Sequence, residues 1–143
     1  MKITLTSLFL LFSSSLLYSQ IVFIKDLKEA RDISKNVTEL FQKNEISEGF
    51  DLLEPHWPLP ENELEALEEK TIKYLNILPD RFGEAEGIAK IKEEKIGDFA
   101  LRETYLIRYQ VSAIRLIFTY FQNKDGWILN GFKWDDNFGE EFD

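Results

Sequence analysis

The sequence predicts an α+β domain in which N-terminal helices pack on a curved four-stranded antiparallel sheet. Two observations carry this. Up to Pro79, apolar residues recur at spacings of three and four, the period of a helix with one buried face. After Gly83 the chain becomes rich in Ile, Tyr, Phe, Thr and Trp, with turn residues at intervals of about a dozen positions, which is strand patterning. Helices followed by consecutive strands, rather than alternating with them, make an α+β domain.

Residues Lys25 to Asn44 place Leu27, Ala30, Ile33, Val37, Leu40 and Phe41 on one helical face. Asn36-Val37-Thr38 is formally a glycosylation sequon, but it falls in mid-helix. A second, shorter helix carries Ile46, Phe50, Leu52 and Leu53 after a break around Asn44. Pro55-His56-Trp57-Pro58-Leu59-Pro60 is a stiff loop, because proline lacks the amide donor and restrains the residue before it. A third helix opens on Glu61, Glu63 and Glu65, where acidic groups suit the positive dipole end. Its apolar face, Leu64, Leu67, Ile72, Leu75 and Leu78, is expected to run through to Pro79.

Four strands are expected at Gly87 to Ile96, Leu101 to Val111, Ala113 to Phe121 and Trp127 to Asp135. The first pair turns at Gly97-Asp98, and Asp125-Gly126 supplies the left-handed conformations of a tight hairpin between the last two. In the second strand Tyr105, Ile107, Tyr109 and Val111 share an apolar face, opposite Arg102, Thr104, Leu106, Arg108 and Gln110. The third strand is apolar on both faces, with Ile114, Leu116, Phe118 and Tyr120 opposite Arg115, Ile117, Thr119 and Phe121, which predicts burial on both sides. The tail from Asp135 to Asp143 is acidic enough to fray.

Residues 1–19 read as a cleavable secretory signal: Lys2 gives the positive start, Leu8 to Leu17 the apolar stretch, and Ser19 the small residue at the cut. Ser13, Ser14 and Ser15 interrupt that stretch, and a spanning helix needs roughly 20 predominantly apolar residues. No stable membrane anchor is therefore expected, an uncleaved anchor or a buried first helix being the alternatives. Residues 20–143 then form one domain of ordinary size, able to bury its own core. Removing Lys2 with the leader leaves 16 basic side chains against 26 acidic, a net charge of about −10. So acidic a chain repels phosphate, which excludes a nucleic-acid partner. There is no cysteine, and hence no disulfide, thiolate metal site, thiol nucleophile or lipidated cysteine.

Chemistry has few addresses here. His56 is the only histidine, so no histidine-based metal site can be assembled, and a structural or solvent-exposed role outweighs a catalytic one. Glu61, Glu63, Glu65, Glu68 and Glu69 follow a solvated helix face. Asp135, Asp136, Glu140, Glu141 and Asp143 lack the glycine and spacing of a calcium loop. Phosphate loops, nucleophile elbows and zinc-binding histidine pairs are all missing, and no cofactor or metal is expected. The aromatics concentrate in the sheet: Tyr105, Tyr109, Phe118, Tyr120, Phe121, Trp127, Phe132 and Trp134. They are either ordinary core or the lining of an apolar pocket closed by the helices. Tyr105, Tyr109, Phe118, Tyr120, Trp127 and Trp134 are the ligand-pocket candidates.

The helices leading through Phe82-Gly83 into the sheet, the segment Gly97-Asp98-Phe99-Ala100-Leu101-Arg102, and the closing Gly126-Trp127-Ile128-Leu129-Asn130-Gly131-Phe132 resemble small exported bacterial domains with a cystatin-like or nuclear-transport-factor-like (SnoaL-like) cone. The resemblance covers about Lys25 to Asp136. The leader's ending, Tyr18-Ser19-Gln20, is similar to that of exported Bacteroidetes proteins, implying a secreted or periplasmic address. Many members of that superfamily are binding domains, and others are isomerase-like or cyclase-like enzymes with an acid or histidine in the cone. The expected function is accordingly a non-catalytic exported binding or interaction domain, taking a small apolar ligand or an envelope protein. The alternative is an isomerase-like or hydrolase-like enzyme with a carboxylate in the cone, for which Glu103 or Asp98 is available. Homodimerisation through the sheet face is a further expectation carried by the resemblance.

Overall fold

The computed structural model describes residues 20–142. The signal-peptide expectation for residues 1–19 lies outside the described residues. The chain runs α1 (Leu27–Gln42), α2 (Ile46–Leu53), a 3-10 turn (Glu54–His56), α3 (Glu61–Leu75), α4 (Leu78–Phe82), β1 (Ala85–Ile96), β2 (Ala100–Tyr109), β3 (Ala113–Asn123), β4 (Gly126–Asp135) and a second 3-10 turn (Phe138–Glu141). It is an α+β fold, with helices on an open antiparallel sheet of order β1-β2-β3-β4. No helix among the described residues is long and apolar enough to cross a membrane.

Helix α1 starts later than its periodicity because Asp26 caps it, its carboxylate accepting the Glu29 amide at 2.8 Å. The Glu29 carboxylate returns the bond to the Lys25 amide at 2.7 Å, in the manner of a capping box. At the other end Asn44 takes a positive φ of 60°, which ends the helix. Ala30, Ser34, Val37, Thr38 and Phe41 face the core. Thr38 Oγ1 donates to the Ser34 carbonyl at 2.7 Å, and Ser34 Oγ is paired with the Tyr120 hydroxyl at 2.6 Å, so neither buried hydroxyl is orphaned. Helix α2 comes so close to α1 that a Cβ on Gly49 would lie 2.5 Å from Phe41 Cε1.

The third helix stops at Leu75, and does not continue to Pro79 as its apolar face predicts. Pro79 lacks the N–H that a helix interior needs, and is tolerated in a first turn; the chain breaks at Asn76-Ile77 and Pro79 sits at the start of α4.

In the sheet, Ile88, Ile107 and Ile114 share one inward-facing row, and Lys90, Tyr105, Leu116 and Trp134 the next. The third row is Glu93, Glu103, Phe118 and Phe132, and the fourth Lys95, Leu101, Tyr120 and Leu129. A bulge at Ile91 puts both Lys90 and Glu93 in inward-facing rows, although their spacing of three would place them on opposite faces of a regular strand. Asn123 Oδ1 accepts the amides of Asp125 and Gly126 at 2.8 and 3.1 Å, holding the last hairpin; its turn is Lys124-Asp125 rather than Asp125-Gly126, and of the expected pair only Gly126 has a positive φ, 145°.

Three expectations need correction. Val111 does not join the inward face of β2: the strand ends at Tyr109, the chain turns, and Val111 is 74% exposed. Strand β3 is buried on both sides only at Ala113 to Phe118, while Phe121 on its outer face is 42% exposed. As far as Phe142 the acidic tail is not frayed. It folds back through the turn Phe138–Glu141 because Arg115, on the outer face of β3, binds Asp135, Glu140 and Glu141.

Candidate functional site

Helices α1 and α2 fill the concavity of the sheet with side chains. Phe118 lies 5.0 Å from Phe132 between ring centroids, and Phe41, Phe50 and Trp57 each meet Phe132 edge-on at 5.6 to 6.2 Å. Such edge-to-face contacts are a favoured aromatic arrangement and leave little space between rings. Phe118 and Tyr120 are wholly buried, Tyr105 and Trp127 nearly so. Tyr105 packs edge-on against Phe118, and Tyr109 against Phe82 at the far end of the sheet. Burial pushes the Tyr109 phenol up to about 12 and raises Tyr120 further, against the opposing effect of its Ser34 hydrogen bond. Trp127 sits at the start of β4, where its backbone pairs with Ile24 in both directions at 2.8 and 3.2 Å. Five of the six pocket candidates are therefore core or sheet-end residues.

The sixth, Trp134, borders a cleft of about 180 Å³ where α3 meets the edge strand β4. Its walls are Phe50, Trp57, Leu67, Phe132 and Trp134, with Lys70, Thr71 and Lys133 as the polar members. Trp134 is fixed from both sides: its Nε1 donates to Thr71 Oγ1 at 2.8 Å, and its ring lies 4.7 Å from that of Tyr74. Tyr74 in turn donates to Asp136 at 2.9 Å. Thr71 is itself anchored, donating to the Leu67 carbonyl at 2.7 Å. The cleft wall is thus preorganised, which lowers the ordering cost of binding. The sequence analysis counts Leu67 in the apolar face of the third helix and assigns nothing to Lys70 and Thr71. Their spacing, with Tyr74, marks one face of α3, but nothing local says that this face stops short of β4.

Glu103 answers the carboxylate alternative in part. It faces inward and is completely buried, whereas Asp98 lies exposed in the β1–β2 turn. Glu103 is not set on a hollow, however, and lines neither this cleft nor the groove on the opposite sheet face. It forms an ion pair with Lys90, which also binds Glu93 at 2.7 Å, and Arg31 from α1 closes the chain on Glu93 at 2.8 and 3.2 Å. Arg31, then Lys90, hold the Glu93 carboxyl down at about 2. Burial works against the charge on Lys90, but its bonds to Glu103 and Glu93 outweigh that and leave its pKa raised. The arrangement is an alternating charge chain that seals one end of the core.

His56 serves the backbone: its Nδ1–H donates to the Val22 carbonyl at 2.5 Å, while Val22 N–H donates to the Pro55 carbonyl at 2.8 Å. Together these pin the segment entering α1 to the proline loop. No protein-family profile, curated protein or solved structure matches the chain.

Proposed function

We propose that this chain is an exported, non-catalytic binding domain of the cone type, whose α3–β4 cleft takes a single small apolar group. The cleft carries the reading. A cavity of about 150 Å³ lined by apolar side chains is enough to bind benzene, whereas drug-sized ligands need roughly 300 Å³ or more. At about 180 Å³, the walls of Phe50, Trp57, Leu67, Phe132 and Trp134 fit one ring or a short aliphatic chain, either free or as the anchoring side chain of a larger partner. The sealed, ion-paired setting of Glu103 favours this over a carboxylate-driven reaction, since a general acid or base must reach its substrate.

Titration with indole-free probes such as toluene and 1-hexanol, followed by the fluorescence of Trp57 and Trp134, tests the reading. A saturable spectral change is expected in the wild-type chain and its loss in Leu67→Trp, which fills the cleft. A wild-type response that is flat, or one that Leu67→Trp leaves unaltered, sinks it. The address is tested by sequencing the N-terminus of the protein recovered from the cell envelope or medium, which should begin near Gln20.

A further inference from the structure

The sheet's outer face, away from the helices, has a charge opposite to that of the chain. Register places Lys92, Arg102, Arg108, Arg115 and Lys133 on it, against Glu94 and Asp135. The whole chain carries −9. Part of this face already holds an acidic segment, the chain's own tail. Arg115, only 8% exposed, binds Asp135 through two nitrogens at 3.0 and 2.7 Å and Glu140 and Glu141 at 2.8 Å each, and Lys92 reaches Glu141 at 2.9 Å. Arginine forks paired with carboxylates in this way give both energy and orientation.

Beside the tail the face is uncovered. Arg102 and Lys133 are exposed, make no ion pair among the described residues, and border a groove of about 290 Å³ floored by Ile117, Thr119, Gly131 and Phe132. Glu94 stands across from Arg102 in the β1–β2 ladder without bonding to it. The groove floor is open: a Cβ on Gly131 would have nothing within 4 Å. Phe121 and Phe99, 42% and 49% exposed and 6.5 Å apart, give the end of the face nearest the β1–β2 turn an apolar character.

We propose that this groove receives an acidic, aromatic-bearing segment of a partner protein, laid beside the tail. Two unpaired cations next to exposed aromatics suit a peptide of the tail's own composition, whose Phe138, Glu140, Glu141 and Phe142 show the type. Clustered cations recognising acidic segments is an established mode of peptide capture, and complementary charge speeds and orients the encounter. Phe132 and Lys133 border the α3–β4 cleft as well, so Arg102 is the residue that separates the two sites.

The test uses the full chain and fluorescently labelled, end-capped peptides of alternating Glu and Phe, Ser and Phe, or Lys and Phe, read by anisotropy at about 50 mM and 300 mM salt. The Glu-Phe peptide should bind, tenfold or more tighter than the Ser-Phe peptide, with affinity falling at higher salt. Arg102→Glu should weaken it tenfold or more, Arg102→Lys much less, and Lys73→Glu, exposed on α3 and bordering neither site, not at all. Unchanged melting temperatures and toluene binding in Arg102→Glu would show that fold and cleft persist. Equal binding of the Glu-Phe and Ser-Phe peptides, or full binding by Arg102→Glu, overturns the proposal. So does capture of single-stranded DNA or anionic vesicles in place of the peptide, or a dimer of the chain alone that Arg102→Glu dissolves, since each names a different occupant.

Discussion

Replacing Lys90 by Met tests the charge chain that closes the core. Glu103 is completely buried, and apart from Lys90 neither of its carboxylate oxygens has a hydrogen-bond partner among the described residues. The Tyr120 hydroxyl, which is nearby enough for Glu103 to raise its pKa, is committed to Ser34. Removing one member of a buried ion pair costs about 3–5 kcal/mol, because the other is left as an uncompensated buried charge. The Lys90 side chain is 32% exposed, so water can enter once it is gone, and Glu93 keeps Arg31. Both place the expected loss near the lower end, about 3 kcal/mol. Converting the pair together, Lys90→Met with Glu103→Leu, removes the stranded charge and should return stability to within about 1.5 kcal/mol of wild type, since apolar replacement of a buried pair is often neutral or favourable. Urea unfolding at pH 7, followed by far-ultraviolet circular dichroism, measures both. A single variant that loses under about 1 kcal/mol, or a double variant no more stable than the single, would refute the claim that Glu103 depends on Lys90.

Acid should weaken the fold through Glu93. Its folded pKa of about 2 lies below its ordinary value of 4.5, so its contribution is complete above about 4.5 and is lost as pH falls from there towards 2. Urea midpoints taken from pH 6 to pH 2.5 should drop across that window, and Glu93→Gln should flatten the slope. Deleting residues 137–143 removes two of the three carboxylates on Arg115 and should cost about 1–2 kcal/mol, measured as a fall in urea midpoint that is largely lost when the deletion is made in an Arg115→Met background. Additive losses would show that tail and arginine act independently.

Much of the fold is legible in the sequence because the relevant physics is local. Helix α1 is marked by its 3.6-residue apolar period, while its exact start, at the Asp26 cap, shows only in the structure. The β3–β4 hairpin is signalled by Asp125-Gly126, although the two turn residues are Lys124 and Asp125 and only Gly126, which opens β4, takes the positive φ that favours glycine. Strand parity puts Tyr105, Ile107 and Tyr109 on one face of β2, and the same parity carries Glu103 inward, whereas Asp98, equally available in the sequence, falls in the exposed turn. Other features depend on partners far away in the chain. The Ile91 bulge gives Lys90 and Glu93 a shared face and so creates the chain to Arg31, and no local pattern encodes a bulge paired to another strand. The tail reads as a run of repelling acids until β3 presents Arg115 beneath it. The aromatic strands read equally as core or as the lining of a pocket, and it is α1 and α2 that decide, bringing Phe41 and Phe50 into that space and leaving the opening at the β4 edge. By itself the sequence determined the three main helices, the four strands, their order and the inward face of β2 as far as Tyr109, because these follow from propensity and period. Which inward-facing groups are sealed, paired or left open was decided by tertiary packing, because a hollow is a property of surfaces that meet from distant parts of the chain.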